Sequence, residues 1–291
     1  MPIWENYLVA ASLEDALRAL ASAPGPARCI AGGTDLLLDL QQGRHPPVHT
    51  LVDVTCLPET TALEIRGEEL FIGAAVPLRQ IISSALVRSH ALAVAEACEL
   101  IGGPQVRNTA TLGGNVCHAL PAADGAIALL ALDAVAEIAD RNGVRRAPLQ
   151  ALFRGPGQST LDPRRELLLG FSVRLRQVGE ASVHRRVMRP QGVAIAILNM
   201  AVWISRRADR IQEVRLALGP AGPLPFRASQ TEALLRGAIF QPDLLPQAIE
   251  TLLGEARFRT SPHRATADYR RHLAGVLLQE TLTIAWQRTL S

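Results

Sequence analysis

The chain contains no lysine, so all 30 of its Lys-or-Arg positions are arginine. A biased base composition accounts for that absence. Aromatic residues make up only 4%, too few for the stacking platforms that hold single-stranded nucleic acid. The net charge of +3 is scattered along the chain, and nothing reads as a basic recognition helix, so no nucleic-acid partner is expected. No apolar run is long enough to span a bilayer, and no signal peptide or twin-arginine segment is visible, so the expected location is cytoplasmic. The four cysteines, Cys29, Cys56, Cys98 and Cys117, stand singly. With no CxxC pair and no histidine at ligand spacing, they exclude an iron–sulfur or zinc site built by this chain alone and are expected to be buried thiols.

At 291 residues, with 48% hydrophobic and 20% charged, the chain is a folded protein large enough for two or three domains. Two stretches stand out. Residues 31–38 read "AGGTDLLL" and residues 111–124 read "TLGGNVCHALPAAD". In the first, the apolar run "RCI" leads to Gly32 and Gly33, then to Thr34 and Asp35, both good helix N-cap residues, and an apolar stretch ends near Gly43. That is strand, glycine turn, helix. Such a turn leaves bare backbone N–H groups that stabilise an anion, and glycine lets a phosphate approach closely. The second stretch offers small residues and two polar hooks, Asn115 and Asp124. Together they suit a ligand with phosphates at one end and hydroxyls at the other. A plain pair of turns is the competing reading.

Coarse patterning divides the chain into three blocks. Residues 1–55 read as a small α/β unit: a first strand in "MPIWENYLVAAS", a helix capped by Ser12, then strand, helix and the strand "HTLVDVT". Residues 56–177 read as two strands about a tight turn in "ALEIRGEELFIGAAV", a helical region (two helices) through residue 102, a hairpin turning at Asn142-Gly143, a loop "GPGQSTLDPRR" and a closing strand "RELLLGFSVRL". Residues 178–291 read as long meandering strands followed by amphipathic helices, an α+β domain.

The order "AGGTDLLL", "IGGPQVRNTATLGGN", "PAAD", "YRRHLAGVLLQETL" resembles the FAD-binding subunit of the molybdenum hydroxylases, the family of the carbon monoxide dehydrogenase medium subunit and the flavin part of xanthine dehydrogenase. The likeness runs over nearly the whole chain. It implies an α+β fold: a two-part vanillyl-alcohol-oxidase-type (PCMH-type) FAD-binding domain, then a C-terminal domain of antiparallel sheet with helices. It also implies site residues. Ala31, Gly32, Gly33, Thr34, Asp35 and Leu36 would wrap the FAD diphosphate, and Thr111, Gly113, Gly114 and Asn115 would complete the cradle. Val116 and Cys117 would lie near the flavin. Asp124 would accept from ribityl or ribose hydroxyls, or else simply cap the helix that follows. Leu167 or Leu168 would cover the isoalloxazine, or else belong to the core. Arg107 and Asn108 are expected to position the second loop. In "ASVHRRVMRPQGVAIAILNMA", Arg185 stands where relatives carry a lysine and Arg189 stands at their arginine, while their tyrosine and acidic positions are lost. The stretch from Arg185 to Gly192 is therefore expected to rim the flavin edge, the alternative being a surface turn.

The resemblance implies an FAD-carrying electron relay within a larger enzyme. A molybdopterin-containing large subunit would hydroxylate the substrate. A small subunit with [2Fe–2S] clusters would pass electrons on, and the acceptor would be NAD, a quinone or O2. An (αβγ)2 heterohexamer is the implied assembly. The sequence holds no convincing Ser-His-Asp or Cys-His set and needs none, because the cofactor carries the chemistry. The rival readings are a self-contained flavin oxidoreductase and a scaffold that has lost FAD.

Overall fold

The computed structural model describes residues 2–189 and 195–290. The chain opens with β1 (Trp4–Val9), α1 (Leu13–Ser22), β2 (Ala27–Ile30), α2 (Leu36–Gln41) and β3 (Val48–Asp53). The three strands form a parallel sheet in the order β1-β3-β2, with Val9 paired to Asp53 and Ile30 to the same residue on the other side. Parallel neighbours need crossovers, and α1 and α2 lie on those connections. Ser12 caps α1 as its position suggests, its Oγ accepting from the Asp15 N–H at 3.1 Å.

There follow α3 (Pro58–Thr61), β4 (Leu63–Arg66), β5 (Glu69–Gly73), α4 (Leu78–Ser83), α5 (Ala85–His90), α6 (Leu92–Leu100), α7 (Pro104–Thr109), α8 (Leu112–Cys117), α9 (Asp124–Ala131), β6 (Val135–Asp140), β7 (Gly143–Pro148), β8 (Phe153–Gly155), β9 (Gln158–Ser159) and β10 (Leu167–Arg174). Five of these strands make an antiparallel sheet in the order β4-β5-β10-β6-β7. The expected pair of helices in the 78–100 region is three, because Ser84 and Ala91 each break the helix; Ser84 caps the second segment through its Oγ. The expected loop at 155–165 carries the small hairpin β8–β9.

The last part comprises β11 (Glu180–Val187), β12 (Leu198–Arg207), β13 (Arg210–Gly219), β14 (Phe226–Arg227), α10 (Ser229–Leu235), α11 (Leu244–Glu255) and α12 (Ala267–Arg288). The strands meander in the order β11-β12-β13-β14. Both faces of this sheet are covered, which is why β12 reads as an unbroken apolar run rather than an alternation. Ala201, Trp203 and Ala217 pack into the core that holds α6 and α9, while Met200, Val202, Ile204, Leu216 and Leu218 pack with α11 and α12. The sheet thus joins the C-terminal helices to the middle of the molecule. Mixed helix and sheet, with an antiparallel C-terminal sheet, is the expected class. Cys98 alone of the four cysteines is buried; Cys56 and Cys117 are exposed. No described helix is long and apolar enough to cross a membrane.

Candidate functional site

Both glycine stretches open onto one cavity of about 1270 Å³, lined by polar and apolar residues from all three sheet regions. That exceeds the roughly 300–1,000 Å³ usual for small-molecule pockets and suits a long ligand.

The first stretch connects β2 to α2. Gly33 sits at φ +66°, a left-handed conformation that a side chain adopts only with strain. Gly32 lies against α7: a Cβ there would be 2.1 Å from the Thr109 carbonyl oxygen. The backbone of this loop is thereby held close to the second stretch. Among the described residues, the amides of Gly32, Gly33, Thr34, Asp35 and Leu36 find no acceptor in the chain. Asp35 holds the N-cap position of α2, yet its side chain makes no capping bond. Ala31 through Leu36 all line the cavity.

The second stretch is built differently. Thr111 caps α8, its Oγ1 accepting from the Gly114 N–H at 3.1 Å. The Gly113 N–H donates to Ala74 O, and the Asn115 N–H to Thr111 O. These amides are already satisfied. Gly113 is needed for packing, since a Cβ there would be 2.6 Å from Ala74; the residue is buried and does not line the cavity. Thr111, Gly114, Asn115 and Cys117 do line it. The Asn115 Oδ1 is buried without a partner and packs against Gly125, where a Cβ would stand 2.7 Å from it. Val116 turns inward to the core. Arg107 ties down the preceding turn, its Nη1 donating to the carbonyls of Ile101 and Gly102.

Asp124 is 5% exposed and lines the cavity from the first turn of α9. It caps nothing, because the N-cap position belongs to Ala123. Its Oδ2 accepts from Arg186 Nη1 at 2.7 Å and its Oδ1 from Asn199 Nδ2 at 2.7 Å. His184 Nε2 stands 3.4 Å from Oδ1 without hydrogen-bond alignment. Burial works against the charge, but His184, Arg186 and Asn199 outweigh it and hold the carboxyl below its usual range. An ionised carboxylate has about four acceptor positions, so one side remains open.

The structure places the remaining expected residues as follows. Leu167 and Leu168, 3% and 5% exposed, sit in two core clusters and are not among the cavity-lining residues. Their strand, β10, is central in its sheet, and both faces are packed. The apolar residues that do line the cavity nearby in sequence and space include Leu161 and Ile195. Arg185 does not reach the cavity. It pairs with Glu96 at 3.2 Å and Glu280 at 3.4 Å, on the side of β11 facing α12. Side chains alternate along a strand, so its neighbour Arg186 takes the cavity side. Arg189 is exposed, and the stretch 190–192 of the expected rim lies outside the described residues. Sequence reasoning included Arg186 only within the expected Arg185–Gly192 rim, without singling it out, and missed Asn199, Arg259, Arg264 and Arg270. Period-two alternation was the available signal for Arg186; Arg270 stands in the noted "YRRHLA" stretch.

The chain is similar to known proteins over nearly its whole length. A family model described as the FAD binding domain in molybdopterin dehydrogenase matches residues 4–173, and one described as the CO dehydrogenase flavoprotein C-terminal domain matches residues 183–285. A putative xanthine dehydrogenase FAD-binding subunit of Escherichia coli (strain K12) is 32% identical over 282 residues, covering 96% of this chain and 95% of that protein. The carbon monoxide dehydrogenase medium chain of Hydrogenophaga pseudoflava is 27% identical over 283 residues, covering 97% of each. A solved structure of carbon monoxide dehydrogenase from Hydrogenophaga pseudoflava, lacking the Mo-pyranopterin moiety of its cofactor, superimposes with a TM-score of 0.92, 27% identity and 99% coverage of both chains.

Proposed function

The chain belongs to the FAD-binding family of the molybdopterin dehydrogenases, and from that premise we propose that it is the electron-transferring flavin subunit of a multisubunit molybdenum hydroxylase, an oxidoreductase whose substrate site lies on a partner chain. The observation that carries the reading is the run of unpaired amides from Gly32 to Leu36 facing a cavity long enough for a dinucleotide. Bare amides at a glycine turn are donors waiting for an anion, and a diphosphate supplies one.

The residues fit FAD. The amides of Gly32, Gly33, Thr34 and Asp35 and the Thr34 hydroxyl would hold the diphosphate, with Ala31 and Leu36 flanking it. Thr111, Gly114 and Asn115, which line the cavity, would close the cradle. Asp124, oriented by Arg186 and Asn199, would accept from a ribityl or ribose hydroxyl. Cys117, exposed on the cavity wall, would lie near the ring. FAD, when bound, supplies the two-electron redox chemistry. This chain orients it, keeps a negative charge at Asp124 and leaves an edge open to partners.

The same reading carries three functional blocks, 1–55 and 56–177 around the FAD and 178–291 as the C-terminal domain. It also implies a molybdopterin large subunit, a [2Fe–2S] small subunit, an (αβγ)2 assembly and NAD, a quinone or O2 as acceptor. Titrating the purified full chain with FAD tests it: saturable, one-to-one, non-covalent binding is expected, and reduction of that flavin by the reassembled complex with substrate. A chain that stays colourless with excess FAD would mark a scaffold without cofactor. Turnover of substrate by the chain alone would mark a self-contained enzyme.

A further inference from the structure

The C-terminal wall of the cavity is basic without acidic balance. From residue 195 onward the lining residues include Arg259, Ser261, Arg264 and Arg270, and no aspartate or glutamate. The acidic lining residues, Asp35, Asp39, Asp124 and Asp162, all come from the first two blocks. Of these, Asp39, Asp124 and Asp162 already face arginines at positions 44, 186 and 165.

Arg270 is the informative residue. It is 2% exposed, in the first turns of α12. Its Nη1 donates to the Arg259 carbonyl at 2.8 Å, and its Nε is buried with no partner. Among the described residues no carboxylate pairs with it, nor with Arg259 or Arg264. A buried guanidinium without a counter-charge is costly, because desolvation is not repaid by any attraction. Two further arginines beside it make the local field more positive. Burial, then the charges of Arg259 and Arg264, pull its pKa down, which is the opposite of what a structural ion pair does.

The chain geometry holds these groups in one place. Gly219 packs on Pro121, where a Cβ would be 1.9 Å from the carbonyl oxygen. Pro220 lines the cavity. Ala221 O accepts from the Arg257 N–H at 2.9 Å, and the turn from Ser261 to Ala265 is closed by Ser261 N–H to Ala265 O at 2.9 Å. The end of β13 thus packs on Pro121, whereas the first glycine loop packs on Thr109.

We propose that Arg259, Arg264 and Arg270, with the Ser261 hydroxyl, form an anion subsite that takes a phosphate group of a ligand in this cavity. The proposal rests on the FAD reading for what fills the rest of the cavity. Three guanidinium groups call for more than one negative charge, which favours a diphosphate over a single carboxylate. Two sources share that chemistry: the diphosphate of FAD itself, reached from the C-terminal domain, and the diphosphate of a second nucleotide that meets the flavin edge.

The experiment uses the full chain and inorganic pyrophosphate as probe, by calorimetric titration, with and without saturating FAD. Arg264→Ala and Arg259→Ala alter exposed side chains and serve as folding-safe variants; Arg270→Gln is the stronger one. Binding of pyrophosphate to the FAD-loaded chain, weakened about tenfold or more by each variant, assigns the subsite to a second nucleotide. Loss of pyrophosphate binding on FAD saturation, with FAD affinity itself falling about tenfold in Arg264→Ala and riboflavin affinity unchanged, assigns it to the FAD diphosphate. Unchanged pyrophosphate and FAD affinities in both Arg259→Ala and Arg264→Ala overturn the proposal, while FAD binding by the unaltered chain separately decides the reading on which it rests.

Discussion

The two glycine loops look alike in sequence and do different physical work. At residues 31–36 Gly33 is left-handed, and among the described residues the amides from Gly32 to Leu36 have no acceptor. At residues 111–115 the amides of Gly113, Gly114 and Asn115 are spent on Ala74 O, Thr111 Oγ1 and Thr111 O. The first loop offers main-chain donors; the second offers side chains on a self-satisfied turn. A Gly-Gly pair thus signals close approach of the chain's own backbone in both loops, to Thr109 at Gly32 and to Ala74 at Gly113, but only the first loop leaves its amides without an acceptor.

The comparison can be broken or sharpened by substitution. The largest effect belongs to Gly32→Ala, whose Cβ meets a backbone carbonyl on α7 and has no room to shift. Destabilisation of about 3 kcal/mol or more is expected in denaturant unfolding, with Gly113→Ala close behind for the same reason; wild-type stability in either would show that the loops are less tightly docked. Next comes Asp124→Ala, which strands Arg186 in a buried position and should remove about 3 kcal/mol, together with a larger loss of FAD affinity than Asp35→Ala. Because the Asp124 carboxyl is held below its usual range in the folded chain, its stabilisation is present above the unfolded aspartate pKa of about 3.9 and is lost as the pH falls through the lower folded value. Asp124→Asn should accordingly flatten the acid limb of the stability curve, and an unchanged limb would remove Asp124 from the account.

Smaller effects separate the loops directly. Gly33→Ala forces a side chain into φ +66°, worth about 1–2 kcal/mol of strain, and should weaken FAD binding about tenfold. Gly114→Ala, at an ordinary φ with only the Thr111 hydroxyl at 3.2 Å, should change affinity by less than about threefold. Equal losses in fluorescence titrations would erase the distinction between backbone and side-chain recognition. The smallest change is Arg185→Ala. Its partly exposed pairs with Glu96 and Glu280 are worth about 1 kcal/mol at most, and FAD affinity should not move.

The glycine stretches, the capped α1, the hairpin at 142–143 and the meander after residue 195 were legible because each rests on local chemistry: a cap, a turn residue, a period. What was not legible depends on partners distant in sequence. Whether the amide of Gly113 is free is decided by Ala74, just after β5. Leu167 and Leu168 resemble ring-covering leucines in composition, but the centre of a five-stranded sheet takes both for the core. The choice between Arg185 and Arg186 needed the register of β11, and the engagement of Glu96 with Arg185, Arg288 and the His184 amide, together with the Arg288 bond to Ser182 O, fixes that strand's orientation only in three dimensions.

The two-sided sheet of the last block also has a consequence for the order in which the protein is made. Ala201, Trp203 and Ala217 lie in the same core as α6 and α9, helices that end at Leu100 and Ala131, well before β12 ends at Arg207, in a chain made at about 5–20 residues per second. The nascent C-terminal strands therefore emerge onto a finished template rather than building their own. A 178–291 segment translated by itself has an apolar sheet face with nothing to cover it, and chaperone capture or aggregation follows from that exposed surface. The same segment supplied in trans to residues 1–177 has a surface on which to fold.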